Sequence, residues 1–185
     1  MAVSHQKPIS EEERADIISR FGEDGKYITK VLPMSTGAKL LLSGWQSSKG
    51  SRWQTLWPFR LPVDVDAARL KNAWVLLLKR HDVLRATAAT ASNSGEPRYV
   101  VFNTDFPYDH WFEETYPYPT FHQNLVNRLQ HFVRHPLDLK RCAIRTTLFR
   151  SQPAGHAYIV IHINHIHYDG GCMPHLLTDF NALYN

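Results

Sequence analysis

The chain has few of the features that mark secreted, membrane-spanning or metal-stapled proteins. Only two of its 185 residues are cysteines, Cys142 and Cys172, which are too few for a disulfide framework or a four-cysteine zinc site. No apolar run approaches the ~20 residues that cross a bilayer, and residues 1–16 contain no basic stretch followed by an apolar segment. We therefore expect a protein of a reducing compartment, the cytoplasm, with no membrane partner.

The chain also has no concentrated basic region. Its 21 basic residues are scattered among 17 acidic ones, and none of them forms a Lys/Arg-rich block, so no nucleic-acid partner is expected. Hydrophobic residues make up 43% of the chain and aromatic residues 12%, a composition that excludes intrinsic disorder. A chain of this length can bury one sizeable core but not two full-sized ones, which predicts a single compact unit.

The spacing of apolar residues predicts a mixture of helices and strands. Ser10 followed by Glu13 is a capping-box pattern, which predicts that a helix begins there, and Asp64 is expected to cap a later helix. Helical stripes predict helices over 11–21, within 32–45, over 65–80, from Thr120 to a break at 136–139, and from 173 to 184. Alternation predicts strands over 53–61, 143–150 and 156–164, and NSGE at 93–96 predicts a hairpin turn.

Two segments depart from these patterns. Pro58 lies within the 53–61 strand and indicates a sheet edge or a bulge, because proline cannot donate to a neighbouring strand. Residues 103–119 are rich in Pro, Tyr, Asp and Trp and have no sustained period, which predicts an ordered connection. The combination of elements predicts an α/β (α+β) sandwich, with helices packed on a mainly antiparallel sheet.

The densest group of chemically useful side chains lies in HINHIHYDGG, residues 162–171. Because an apolar strand precedes this segment and a Gly-Gly turn ends it, the sheet would fix these side chains while the loop exposes them. Alternation places His165 at the end of an apolar face, where an imidazole lone pair suits a general base. Asp169 can orient the loop or pair with a cation, and Gly170 lets backbone N–H groups approach a reacting carbonyl.

Other interpretations fit the same segment. A histidine at a strand end can be a hydrogen-bonded structural residue with no chemical role. The segment also contains zinc-ligand residue types, but His162 alternates to the face opposite His165 and no CxxC or HExxH spacing is present, so no metal is assigned. Cys172 could be a nucleophile, although a small thiol at a helix start more often packs.

The segment NHIHYDGG resembles the HHxxxDG motif of nonribosomal peptide synthetase condensation domains, with Asn164 in the first histidine position, His165 in the second, and Asp169 and Gly170 closing it. Three further segments are similar to elements of that family and follow its order: LPMSTGAKLLLSG resembles the opening Pro-x-(Ser/Thr)-x-x-Gln helix, RHDVLRAT the RHxxLRT element, and PLDLKRCAIRTTLFR the PFDL-type segment. The resemblance covers residues 32–185 and leaves 1–31 as a lead-in helix and loop. The flanking sequence looks most like fungal synthetases, including terminal domains that release products by cyclisation.

The resemblance implies a chloramphenicol acetyltransferase-like fold in two lobes. This chain would be the N-terminal lobe, and the C-terminal lobe, absent from it, would be a partner. In this family the second histidine, here His165, takes or steers a proton, and the backbone near Gly170 stabilises the oxyanion. Arg85 is implied to pair with Asp169 and to brace the loop. Asn164 departs from the family's first histidine, which is expected to alter only fine positioning.

The implied activity is formation of an amide or ester bond between a carrier-bound acyl or peptidyl thioester and an acceptor amine or hydroxyl. Donor and acceptor peptidyl carrier proteins would be the partners. No cofactor would bind directly, because 4'-phosphopantetheine would arrive on the carrier protein. The isolated lobe is expected to be inactive. The alternatives are a CoA-dependent HxxxD-type acyltransferase and a non-catalytic module that docks carrier proteins.

Overall fold

The computed structural model describes residues 8–108, 110–139 and 143–185, and Cys142 lies outside them. Within these ranges the helices are α1 Glu11–Ser19, α2 Thr36–Ser47, α3 Ala67–Arg80, α4 Phe121–Arg134 and α5 Cys172–Tyr184. The strands are β1 Ile28–Pro33, β2 Gln54–Leu61, β3 Ala86–Thr90, β4 Pro97–Phe102, β5 Trp111–Pro117, β6 Ile144–Gln152 and β7 Ala157–Asn164. None of these helices is both long and apolar enough to cross a membrane.

The strands form two sheets, one with the order β2-β7-β6-β5 and one with the order β1-β4-β3. Every neighbouring pair is antiparallel except β5 and β6, which run parallel. The predicted α+β architecture with a mainly antiparallel sheet is therefore confirmed. β2 lies at an edge, as Pro58 indicated, and β3 and β4 form the predicted hairpin, with Gly95 in the left-handed region at φ 67°.

Helices cover both faces of the four-stranded sheet. Alternate residues of β7, Ile159, Ile161 and Ile163, pack with α3 and α5 in one core. Val160, on the opposite face, packs against Phe132 and its neighbours on α4 in a second core. Burying a large apolar side chain stabilises the fold by roughly 1.5–3 kcal/mol, so these two layers hold β7 firmly in the centre of the sheet. The end of β7 is where the candidate site begins.

The helix starts agree only in part with the sequence patterns. The Ser10 side chain accepts a hydrogen bond from the Glu13 amide at 3.1 Å and caps α1, as predicted. The prediction that Asp64 caps the next helix was wrong, because Asp66 accepts from the Arg69 amide at 3.0 Å instead. A turn in which the Val65 amide donates to the Pro62 carbonyl delays the start of α3 to Ala67.

The prediction of a connection over residues 103–119 was also wrong, because this segment contains β5. Its seven residues include two glutamates, which strands disfavour, and these obscured the signal of its aromatic residues. Tertiary contacts accommodate the charges: Glu114 pairs with Arg128 at 2.8 Å and Glu113 with Arg150 at 3.0 Å.

The lead-in segment shares a core with the rest of the chain. Ile17 of α1 is fully buried and packs with Val100 and Phe102 of β4. Glu13 forms a buried ion pair with Arg98 of the same strand at 2.8 Å. The expected division between residues 31 and 32 falls inside β1, which pairs with β4.

Candidate active site

The site is a turn at the end of the central strand β7. Asn164, the last residue of β7, donates its amide to the Ala143 carbonyl at 3.0 Å. Its side-chain oxygen accepts from the Ile166 amide at 3.0 Å, which starts a single 3₁₀ turn over His165–His167. Asparagine is well suited to this capping contact because its short amide reaches the backbone two residues ahead. The contact gives a physical basis for the supporting role predicted for Asn164.

His165 is half-buried at the start of that turn. Its Nδ1 lies 3.0 Å from the carbonyl oxygen of Tyr168. Because a carbonyl only accepts, this contact assigns the proton of the neutral imidazole to Nδ1 and leaves its lone pair on Nε2. The Tyr168 ring stacks on the imidazole with centroids 4.5 Å apart, and its hydroxyl donates to Thr55 of β2. The histidine is therefore oriented as a general base requires, with its basic nitrogen directed away from the contact that fixes the ring.

Asp169 and Gly170 lie on the exposed side of the same turn. The Asp169 carboxylate accepts the amide of Cys172, the first residue of α5, at 2.8 Å. The Cys172 thiol sulfur lies 3.3 Å from the Asp169 amide nitrogen, so this cysteine packs against the turn. A Cβ added to Gly170 would meet no atom within 4 Å, which leaves the backbone here open to an incoming group.

The predicted ion pair between Arg85 and Asp169 is not formed, and that prediction was wrong. Arg85 is buried, and its Nη2 lies 2.5 Å from Asp82 in the 3₁₀ turn that follows α3. Its Nε donates to the Leu78 carbonyl at 2.8 Å and its Nη1 to the Phe102 carbonyl. A buried guanidinium is stabilised by such acceptors, and here they lie at the end of α3, in the 3₁₀ turn after it and at the end of β4 rather than on the turn that contains His165. Lys30 and, to a lesser extent, Arg85 hold the pKa of Asp82 below its ordinary value.

The other histidines of the segment are buried away from His165. His162 faces α4, where it stacks on Phe132 and lies 2.8 Å from Gln54 Oε1, and burial lowers its pKa to about 4. His167 is 3% exposed, and burial lowers its pKa to about 3. Among the described residues no group of three or more His, Cys, Asp or Glu side chains is placed to hold a metal ion.

Sequence reasoning did not single out three aromatic residues that surround the turn. Trp53, just before β2, lies edge-on to the His165 ring with centroids 6.1 Å apart. Tyr168 stacks on the same imidazole with centroids 4.5 Å apart. Tyr99 of β4 donates its hydroxyl to the Ile166 carbonyl at 2.5 Å, and burial raises its pKa. Tyr168 could have been found from its place inside the motif. Trp53 reaches the site only through the pairing of β2 with β7, and Tyr99 only through a side-chain hydrogen bond from the other sheet.

Two sizeable cavities of the described chain do not include His165. A cavity of about 540 Å³ lies between α2 and β3 and is lined by Leu42, Trp45 and Ala88, among others. A second cavity of about 430 Å³ lies between the end of β2 and α5. His165 lines neither of them. The turn reaches the surface at the end of β7, where His165 is half-buried and Asp169 and Gly170 are exposed.

The fold and this turn together define a condensation domain. The family model described as "Condensation domain" matches residues 42–185, and the chain belongs to that family. The chain is 40% identical over 178 residues to coprinoferrin synthetase of Coprinopsis cinerea, an alignment that covers 96% of this chain and 7% of that protein. It is 34% identical over 159 residues to the nonribosomal peptide synthetase NPS2 of Ceriporiopsis subvermispora, which covers 85% of this chain and 6% of that protein.

Solved structures agree on the fold. The first condensation domain of the calcium-dependent antibiotic synthetase superposes with a TM-score of 0.72 at 15% identity, covering 82% of this chain and 36% of that one. The condensation domain of the monacolin K polyketide synthase MokA gives a TM-score of 0.66 at 17% identity, covering 85% and 35%. These likenesses confirm the predicted fold class. The chain spans little more than a third of either structure.

Proposed function

We propose that the chain is the N-terminal lobe of a condensation domain in a nonribosomal peptide synthetase of the cytoplasm. Its domain would form an amide or ester bond between a carrier-bound acyl or peptidyl thioester and an acceptor amine or hydroxyl. The family match and the peptide synthetases among its relatives support this reaction class. The observation that carries the proposal is the orientation of His165, whose Nε2 lone pair is available at the half-buried end of β7.

In this reaction His165 accepts or steers the proton that the acceptor loses as it attacks the thioester carbonyl. The new bond to the acceptor forms while the carbonyl becomes a tetrahedral oxyanion, which backbone N–H groups near the exposed Gly170 stabilise. The C–S bond then breaks, and the proton passes to the departing thiol of the 4'-phosphopantetheine arm. That arm belongs to the carrier protein and enters as part of the substrate. Because a thioester is already activated, no covalent acyl-enzyme intermediate is required.

Two of the three supporting residues, Asp169 and Asn164, act through the turn. Asp169 holds the first amide of α5 and so fixes the spacing between the turn and that helix. Asn164 caps the turn from its other end. Arg85 braces the end of α3 through Leu78 and the end of β4 through Phe102, at a distance from the reacting atoms. These roles are structural, and only His165 and the Gly170 backbone would touch the substrate.

The open surface around His165 supports a role for a second lobe. Solved condensation domains are more than twice as long as this chain, and a C-terminal lobe would cover the turn and complete the substrate-binding channel. Donor and acceptor peptidyl carrier proteins would deliver their arms to that channel. The isolated lobe should therefore lack condensation activity, because half of the substrate-binding surface is absent.

The test is His165→Ala in the complete condensation domain, with His175→Ala, an exposed histidine of α5, as the matched control. Loss of a proton-transfer group should lower the rate of condensation by about 10²–10⁴-fold, while the thermal unfolding curve stays unchanged. The control should keep its activity. Product formation is followed by mass spectrometry from carrier-bound thioesters, with free acyl-CoA assayed in parallel.

Activity of His165→Ala within a few-fold of the unaltered domain would contradict the catalytic assignment and favour a non-catalytic docking module. Efficient turnover of free acyl-CoA, with none from carrier-bound thioesters, would instead favour a CoA-dependent acyltransferase.

A further inference from the structure

Trp53 has a backbone conformation that its side chain disfavours. Its φ is 64°, in the left-handed region where a residue with a Cβ is strained and where a bulky aromatic residue is a clear outlier. The neighbouring loop also contains Lys49 at φ 52° and Gly50 at φ 84°. Strained residues persist only where surrounding contacts enforce them, and they cluster at functional sites. The contacts of Trp53 therefore identify what its conformation achieves.

The backbone of Trp53 holds the first residue of the candidate site. Its carbonyl accepts the amide of His165 at 2.7 Å. The last pair of the β2–β7 ladder joins Gln54 to Asn164, so this bond extends the pairing by one residue into the turn. The left-handed conformation thus places a carbonyl where the amide of the catalytic histidine needs an acceptor.

The side chain of Trp53 borders the imidazole. The two rings meet edge-on, with centroids 6.1 Å apart and planes at 71°. Tyr168 stacks on the same imidazole with planes at 11°, so His165 is in contact with two aromatic rings. The indole is 44% exposed and lies at the surface of the turn. An imidazole bordered in this way has little freedom to rotate about its side-chain bonds.

Helix α2 is shaped to receive the indole. A Cβ built on Gly44 would lie 2.4 Å from Nε1 of Trp53, so any larger residue there would displace the indole. Glycine in a helix interior is destabilising relative to alanine, and here it permits a close contact with the ring. The presence of glycine at position 44, despite its cost in a helix, is thus independent support for a functional role of the indole position.

We propose that Trp53 is a positioning residue for His165, an inference that rests on the proposed role of His165 as the proton-transfer group. The Trp53 carbonyl fixes the backbone of the turn, and its indole holds the imidazole so that Nε2 faces the substrate. Displacement of a reacting group by about 1 Å can reduce a rate by about 10²-fold. Loss of the indole should therefore lower kcat, while KM for either carrier-bound substrate stays nearly unchanged.

The experiment compares Trp53→Gly, Trp53→Phe and Gly44→Ala in the complete domain. Trp53→Gly keeps the carbonyl and relieves the strain, so it should fold well yet lose about 10–100-fold in kcat. Trp53→Phe keeps an aromatic edge and should restore kcat to within about 3-fold. Gly44→Ala keeps tryptophan at position 53 but should reduce kcat, because the added methyl group displaces the indole. The control is Lys49→Gly, which relieves a similar strain at an exposed position and should leave kcat unchanged.

A second readout does not depend on activity. The imidazole ¹⁵N and ring ¹H signals of His165, followed by NMR against pH, should shift in Trp53→Gly and Gly44→Ala and remain unchanged in Lys49→Gly. Unchanged His165 signals in Trp53→Gly would overturn the positioning role even if kcat fell, and so would an unchanged kcat and pH profile. The two proposals can fail separately. If His165→Ala keeps full activity, the proposed function is wrong. If the His165 NMR signals nevertheless change in Trp53→Gly, the contact between Trp53 and His165 is still supported.

Discussion

At the scale of single residues, two histidines, His162 and His167, are buried beside the candidate site. His162 and His167 are 1% and 3% exposed, and burial lowers their pKa values to about 4 and about 3. Neither ring nitrogen of His167 has a hydrogen-bond partner among the described residues. Both imidazoles are therefore neutral in the folded protein at neutral pH. In the unfolded chain their pKa values return to about 6.5, so unfolding takes up protons as the solution becomes acidic.

The difference between the folded and unfolded pKa values of these histidines predicts that the free energy of unfolding decreases as the pH falls below about 6.5. A histidine whose pKa is lower in the folded state stabilises the fold fully above pH 6.5, and this contribution is lost as the pH falls toward its folded pKa. Each of the two residues should reduce the free energy of unfolding by about 1.4 kcal/mol per pH unit within this range. Urea denaturation between pH 6.5 and 5 measures the slope of the free energy of unfolding against pH. This interval lies above the pH range in which most carboxylates titrate.

Replacement of one histidine isolates its share of that slope. His167→Leu should remove about 1.4 kcal/mol per pH unit and should raise stability at pH 7, because it eliminates a buried group without a partner, at a gain of about 1–3 kcal/mol. His175→Leu, at an exposed position of α5, serves as the control and should keep the slope of the unaltered chain. An identical slope in His167→Leu would mean that this imidazole is not buried and neutral.

At the scale of elements, Arg85 links the end of α3 to the end of β4. Arg85→Ala would leave the Leu78 and Phe102 carbonyls without their donor and should lower the free energy of unfolding by about 2–5 kcal/mol. Asp82 is more exposed, so its replacement should cost less than about 1 kcal/mol. A double-mutant cycle should give a coupling energy of about 0.5–1 kcal/mol for Arg85 and Asp82 and additive effects for Arg85 and Asp169.

Urea denaturation of the single and double variants measures both cycles. Coupling above about 1 kcal/mol between Arg85 and Asp169 would show that the ion pair implied by the family resemblance does form, and it would contradict the arrangement described above.

The same elements show how far the sequence alone could predict the structure. The Ser10 cap, the edge position marked by Pro58 and the placement of His165 at a strand end all depend on near neighbours in the chain. The partner of Arg85 could not be read in this way, because it depends on which acceptors a buried guanidinium meets after folding. β5 was missed for a related reason: its glutamates are accommodated by arginines that only the folded chain brings close.

At the scale of the whole molecule, the chain exposes large apolar side chains on several elements. Val126 and Val133 lie on the outer face of α4 and are 47% and 54% exposed, and Leu40 of α2 is 74% exposed. Val126 and Val133 are separated by two helical turns, so they lie on the same side of the helix and form one stripe with Leu129 between them. Exposed apolar surface of this kind favours association.

We expect the isolated chain to self-associate as its concentration rises, and light scattering over a range of concentrations measures this. Val126→Gln combined with Val133→Gln should reduce the average mass at a given concentration, because the stripe on α4 becomes polar. Val63→Gln, at an exposed loop position, is the matched control and should have a smaller effect. A chain that remains monomeric at all concentrations would show that this surface does not drive association.

The pairing of β2 with β7 also determines the order in which the site can assemble. β2 has a single strand neighbour, and its pairing joins Gln54 to Asn164, which are 110 positions apart in the chain. During synthesis, Trp53 and β2 therefore remain without a strand to pair with until β7 has left the ribosome. Contacts of such long range form late and fold slowly, because closing the intervening chain costs entropy before the pairing is gained. The turn that contains His165 is consequently among the last parts of the chain to form, and it exists only in molecules that have completed this sheet.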